Sequence, residues 1–411
     1  MALSPPVAIL VWLTCRYLDG SVSRLASRDG LGEVIAHFPT PSGVAAAMLA
    51  GFVFVQIVLL WVLPGRIHEG PVTPADSRPC YRANGVAAFA VTHLLYLGSS
   101  YGLGWFSASI VYDRLGELLI TASLSCLAFC CYLYIRGRRA QASADTVVTG
   151  NAVLDFFQGI ELHPSIAGIQ LKQLLNCRTG MMGWSIIVVS CVGRQYADLG
   201  YLSSGMLVCA TLQMVYIAKF FWWETGYFAT LDMMHDRLGY YLAWGVTSWL
   251  PSVYTVASQY LVTNPINLPA WAGVTLLVVG LGAIGINYQA DWQRQRIRQG
   301  AHDVRIWGRP PELIEANYLA ADGERRRSLL LVSGWWGVAR HFHYVPELVV
   351  ALTWTAATGF GGALPYLYPL YLAVLLLDRV GRDDDRCQTK YRQHWDEYCA
   401  RVRWKVVPFI Y

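Results

Sequence analysis

Between positions 44 and 63 the chain runs for 20 residues without one charged side chain. A helix of that length rises about 30 Å, the thickness of a bilayer's hydrocarbon core. Lipid offers no hydrogen bonds, so such a segment must satisfy its peptide groups internally, as a helix does. Pro64-Gly65 ends the run. The loop that follows, GRIHEGPVTPADSRPCYRANG, has three prolines and mixed charge, which places it outside the hydrocarbon or buried within protein.

The pattern then recurs. Further apolar runs cover residues 86–105, 118–134, 182–192, 206–223, 240–262 and 271–286. The last apolar region, 348–377, is broken by Gly359-Phe360-Gly361-Gly362 and by prolines at 365 and 369, which predicts a helical hairpin or an interrupted helix. The expected fold is therefore an all-α polytopic membrane protein with eight to ten transmembrane helices. Composition agrees, because only 14% of residues are charged where soluble proteins carry about 25%. Sixteen Trp and 24 Tyr suit a protein with two membrane interfaces to line. The net charge of +5 is spread along the chain, which argues against a nucleic acid partner. Arg136, Arg138 and Arg139 close the third run and mark its cytoplasmic end. The early apolar run 7–14 is short and lacks a basic stretch before it, so insertion is expected to rest on internal spans. Ten scattered cysteines, none with zinc spacing, predict neither a metal site nor a disulfide framework.

Ionisable groups at membrane depth are costly and commonly functional. The segment FFWWETGYFATLDMMHDRLGYYLAWGVTSWL, residues 220–250, places Glu224, Asp232, His235 and Asp236 among aromatics. Buried beside like charges, a carboxyl keeps its proton to higher pH, as a proton donor must. The same residues also read as a loop whose acids sit in water, with Gly226 and Gly239 as its turns. At the end of another run, NYQADWQRQRIR carries Arg294, Arg296 and Arg298, a set that suits phosphate or serves as a positive-inside anchor. No G-x-G-x-x-G, phosphate-binding loop or G-x-S-x-G motif occurs, so any dinucleotide binds outside a Rossmann fold. SGWWGVARHFHY joins two tryptophans to Arg340 and His341.

The hydrophilic block DRVGRDDDRCQTKYRQHWDEYC (residues 378–399) holds Arg379, Asp383, Cys387 and Tyr391 at intervals of four, with Tyr398 two turns further on. Such a stripe suits a polar cofactor, or an amphipathic helix on the membrane surface with solvated charges. It resembles the C-terminal signature of the sterol reductase family, the Δ14- and Δ7-sterol reductases and the sterol reductase domain of the lamin B receptor. Arg379, Arg382, Asp383, Cys387, Lys390, Tyr391, Trp395 and Tyr398 match in register, while Asp378, Arg392 and His394 depart. GIELHPSIAG is similar to a second family block, keeping Gly159, Glu161 and Pro164 but carrying His163 and Ser165. EGPVTP, NGVAAFAVTHLLY, WFSASIVYD and WETGYFATLDMMHD resemble the Δ7 branch.

The resemblance implies a ten-helix membrane enzyme that uses NADPH to saturate a ring double bond of a sterol, C7=C8 in the Δ7 branch. Residues 1–260 would serve the sterol side and residues 261–411 the nucleotide, within one membrane domain. It puts nucleotide contacts on Arg294, Leu331, Trp336, His341, Phe342, Arg379, Asp383, Cys387, Lys390, Tyr391 and Tyr398. It leaves the proton donor among Glu224, Tyr227, Asp232, His235 and Asp236. Ala290 stands where the family carries a lysine, which bears on the choice between NADPH and NADH. The partners implied are a sterol drawn from the bilayer and membrane lipids, in the endoplasmic reticulum of a eukaryote or the inner membrane of a bacterium. A Δ14- or Δ24-sterol reductase and a non-catalytic sterol-binding protein are the alternatives.

Overall fold

A computed structural model describes residues 4–300, 304–319 and 323–411. The chain is mostly helical and forms two compact units, Met1–Gly273 with Trp354–Leu367, and Val274–Thr353 with Tyr368–Tyr411. Five helices among the described residues are long and apolar enough to cross a membrane: Gly43–Val62, Leu115–Arg139, Gln173–Leu199, Ser204–Trp222 and Ala270–Arg298.

The first of these shows how local chemistry sets its ends. Ser42 accepts the Ala45 N–H at its Oγ (3.0 Å), capping donors that the first turn leaves without partners. At the far end the Asn84 amide donates to the carbonyls of Leu59, Leu60 and Leu63 at 3.1–3.3 Å. One side chain thus answers the last turn's carbonyls and ties the loop back to the helix. Phe54, Trp61 and Val62 stand exposed on this helix, a face suited to hydrocarbon.

Two of the expected spans are not single helices. Residues 86–105 become the helix Gly85–Leu97 followed by a widened π turn, Gly98–Gly102. Residues 240–262 become Tyr240–Trp244, a π segment Gly245–Tyr254 and Val256–Thr263. Pro251 lies in that π segment; it has no N–H to give the ladder, and the winding widens around it. The break expected in 348–377 is present, as the helix Tyr344–Ala356, a 3₁₀ turn at Leu364–Tyr366 and the helix Leu367–Tyr391. Ser4–Tyr17 is too short to span; it buries Ala8, Ile9 and Leu13, and the Ala8 carbonyl accepts from Ser252 (2.6 Å).

The all-helical expectation needs a correction. Three antiparallel hairpins join the helices: Arg66–Glu69 with Cys80–Ala83, Ser165–Ile166 with Ile169–Gln170, and Leu313–Leu319 with Arg325–Leu331. All lie in polar segments between apolar runs. In the longest, Ile314 and Ala316 point inward while Glu315 and Asn317 point out, the two-residue period of a half-buried strand.

Candidate active site

In the first unit a buried ion pair organises the polar residues. Arg178, 0% exposed, meets Glu224, 2% exposed, with Nη1 2.5 Å from Oε1. The second Arg178 nitrogen donates to Asn84 Oδ1 (2.8 Å), and Glu224 Oε2 accepts the Gly85 N–H (2.9 Å). One carboxylate oxygen thus meets the guanidinium and the other a backbone N–H. Burying two charges costs several kcal/mol per ion, and the contact between opposite charges offsets part of that cost.

Around it lie the other candidates for acid chemistry. Tyr227 is half-buried, and its Oη accepts from the Asn176 amide (3.1 Å). Asp232 and Asp236 are half-buried and His235 is exposed. The segment that carries them is clamped by Lys172, whose Nζ donates to the carbonyls of Asp232 (3.0 Å), Met233 (2.6 Å) and Asp236 (2.6 Å). His163 lies within electrostatic reach of Lys172 and His235 and 3.3 Å from Tyr81 Oη. Burial, then the Lys172 charge, pushes the His163 pKa down to about 4, so its ring is neutral near pH 7.

Every nucleotide-contact residue expected from sequence falls in the second unit. Arg294 lies over the Trp336 ring, its guanidinium carbon 4.4 Å from the centroid. Trp336 donates from its indole to the Ala290 carbonyl (2.8 Å), and its own carbonyl accepts from Tyr398 Oη (3.3 Å). Trp336 packs in a core with Leu331, Ile297 and Ile306, and Phe342 stacks on Trp335 at 4.5 Å. Ala290 is fully buried, so its position offers no surface cation. Asp383 accepts from Arg386 (2.5 Å). Burial alone would raise the Asp383 pKa, but Arg386, His341 and Arg294 outweigh it and hold the carboxyl below its ordinary range. Arg298, exposed, is within electrostatic reach of Arg294, Arg386, Asp383 and Tyr391.

The four-residue stripe divides. Cys387 and Tyr391 turn into an apolar cluster with Ile314, Ala316, Leu330, Trp395, Tyr398 and Val402. Tyr391 donates to Ser328 Oγ (3.2 Å), and burial pushes the Cys387 thiol up to about 12, so it stays protonated. Lys390 sits over the Tyr318 ring at 4.2 Å, and Arg379 is half-buried one turn before Asp383. The C-terminal block is thus seated on a hairpin through its thiol and phenol, while Asp383 lies within electrostatic reach of Arg294, and Arg386 within reach of Arg298. His341 is buried, stacked on Tyr344 and 3.9 Å from Asp384, which Lys405 (3.0 Å) and Arg340 (3.5 Å) also hold.

Sequence reasoning passed over Arg178, Lys172, Asn84 and Asn176. Their signal was available: an arginine and a lysine in QLKQLLNCRTGMMGW, beside an apolar run, have no cheap place but a buried partner. Which partner they take is long-range information.

Residues 33–411 match the family described as ergosterol biosynthesis ERG4/ERG24. The chain belongs to that family. Within it, this sterol reductase is 43% identical to a protein of Arabidopsis thaliana named 7-dehydrocholesterol reductase, over 100% of this chain and 96% of the relative. A Xenopus laevis protein of the same name is 34% identical over 93% of this chain and 83% of its own. A protein of Methylotuvimicrobium alcaliphilum named Delta(14)-sterol reductase is 32% identical over 99% of this chain and 92% of its own. With its apolar helices, this ERG4/ERG24 member is an integral membrane enzyme.

Proposed function

We propose that this sterol reductase takes NADPH and saturates the C7=C8 bond of a sterol such as 7-dehydrocholesterol. The observation that carries the choice of bond is the full-length identity of 43% to the plant protein of that name, against 32% to the bacterial Δ14 enzyme. A Δ14-sterol reductase is the second reading, favoured by a match that covers 99% of the chain. The topology that goes with this reading has ten helices, the five long spans being joined by shorter and interrupted helices around 85–102, 240–263 and 344–377. Residues 1–260 serve the sterol and residues 261–411 the nucleotide.

The residues of the second unit suit a nucleotide phosphate. Arg294 is pre-oriented on Trp336, Arg298 and Arg386 stand close by, and a guanidinium fork gives phosphate two directed hydrogen bonds. NADPH, when bound, supplies the hydride. Arg294 and Arg298 hold phosphate there, with Ala290 contributing none of the charge. Asp383 orients Arg386, and Trp336 and Tyr398 wall the site.

On the sterol, an alkene accepts hydride only once a proton has been added to one of its carbons, leaving positive charge at the other. Tyr227 is the residue we assign to deliver that proton. Its oxygen accepts from Asn176, which polarises the phenol toward releasing its proton, whereas Glu224 is committed to Arg178 and Gly85. Asp232, His235 and Asp236 lie on the same clamped segment and return the proton to Tyr227 from the aqueous side.

Purified protein in detergent, given 7-dehydrocholesterol with NADPH or NADH, tests the reading by mass spectrometry and loss of the diene absorbance. Consumption with NADPH supports it. Turnover confined to a Δ14 or Δ24 sterol overturns the choice of bond, and binding without any turnover returns the non-catalytic reading. Tyr227→Phe is expected to lower kcat by about 10²–10⁴-fold, the worth of a positioned general acid, with KM little changed.

A further inference from the structure

We propose that the first unit carries a binding site for the headgroup of an anionic phospholipid at the basic end of the Leu115–Arg139 helix. A cavity of about 490 Å³ lies there, lined by Tyr132, Ile135, Arg136, Arg139, Ala140 and Glu161. Arg136 forms an ion pair with Glu161 (Nε to Oε1, 3.2 Å), while its Nη1 and Glu161 Oε1 are buried with no hydrogen-bond partner. A guanidinium fork is the donor that suits phosphate oxygens, and Arg136 and Arg139 both line the cavity. Arg139, on the same rim, makes no ion pair among the described residues. Glu161 neutralises one of the two arginines, so the cavity keeps about one unit of positive charge for a ligand.

The approach to the cavity specifies the rest of the ligand. Leu124, Leu127, Cys131 and Ile135 are exposed at helical spacing, with Tyr132 beside them, on a helix long and apolar enough to span. They form a stripe that runs along the lipid side of the helix and ends at the two arginines. Acyl chain on the stripe and phosphodiester at the guanidiniums is the pairing this surface fits. A sterol hydroxyl does not need guanidinium charge, and free phosphate does not use the stripe. The proposal does not depend on the bond reduced.

The test uses the full chain in nanodiscs containing equal phosphatidylglycerol and phosphatidylcholine with identical acyl chains, with retained lipid counted by native mass spectrometry. The wild type is expected to retain phosphatidylglycerol in several-fold excess. Arg139→Gln, which leaves the Arg136–Glu161 pair in place, is expected to reduce that excess by about tenfold, the worth of one charge-assisted hydrogen bond. Sterol turnover of Arg139→Gln in detergent should match the parent, which shows that the variant is folded. Equal retention of the two lipids by the wild type, or an undiminished excess in Arg139→Gln, overturns the proposal. A thermal shift with millimolar inorganic phosphate equal to that with phosphatidylglycerol also overturns it, in favour of a soluble anion site.

Discussion

Arg178→Ala removes a guanidinium that is 0% exposed and leaves the Glu224 carboxylate with only the Gly85 N–H. The loss has three parts: the 2.5 Å ion pair, the 2.8 Å donation to Asn84, and a void where the side chain stood. Breaking a buried pair by deleting one partner costs about 3–5 kcal/mol, most of it from the charge left behind. Taking about 4 kcal/mol, the folding equilibrium shifts by roughly a thousandfold against a net stability of about 5–15 kcal/mol. On the scale that holds for domains of 150–250 residues, that is a fall in thermal midpoint of about 10 °C. The assay is thermal unfolding of detergent-solubilised protein for Arg178→Ala, Glu224→Gln and the double variant. Because the double variant carries no lone charge, its loss should fall short of the sum of the singles by at least about 2 kcal/mol. Additive losses, or a single variant within about 1 kcal/mol of the parent, would refute the role given to this pair.

Other outcomes follow from the same structure. Gly159 has φ +86°, and a Cβ there would stand 2.5 Å from the Leu238 backbone, so Gly159→Ala should sharply lower the yield of folded protein. Gly168, at φ +76° but in open space, should tolerate Ala at a cost of about 1 kcal/mol in the same unfolding assay. Asp384 is driven up by burial but further down by His341, Lys405 and Arg340, to about 2. A carboxyl depressed in the folded state stabilises above its unfolded value of 3.8 and loses that stabilisation as pH falls toward 2. Asp384→Asn should therefore lower the midpoint at pH 6, with the difference from wild type shrinking below pH 4 and vanishing only below about pH 2. Arg294→Gln should raise KM for NADPH by about tenfold or more, the worth of a charge-assisted contact to phosphate, and raise KM for NADH less. Equal effects on both nucleotides would place the extra phosphate elsewhere.

Much of this protein is written locally. An uncharged run of 20 residues has one cheap solution in lipid, so the Gly43–Val62 helix follows from composition alone. The break at 359–362 follows from glycines and prolines, whose backbone preferences need no partner. Family membership was also legible, because the signature residues keep their register whatever they touch. The Leu313–Leu319 strand shows its two-residue period in the alternation of Ile314 and Ala316 with Glu315 and Asn317, a signal that needs no partner to be seen.

What tertiary structure alone decided is which polar groups meet. Arg178 and Glu224 are separated by 46 positions and Asn84 and Arg178 by 94, and no periodicity links them. The four-residue stripe suited either a cofactor face or an amphipathic surface helix, and Cys387 and Tyr391 went into a core because a hairpin formed elsewhere in the chain to receive them. Local sequence sets the cost of burying each group; only the assembled fold supplies the partner that offsets it, because that partner comes from distant sequence.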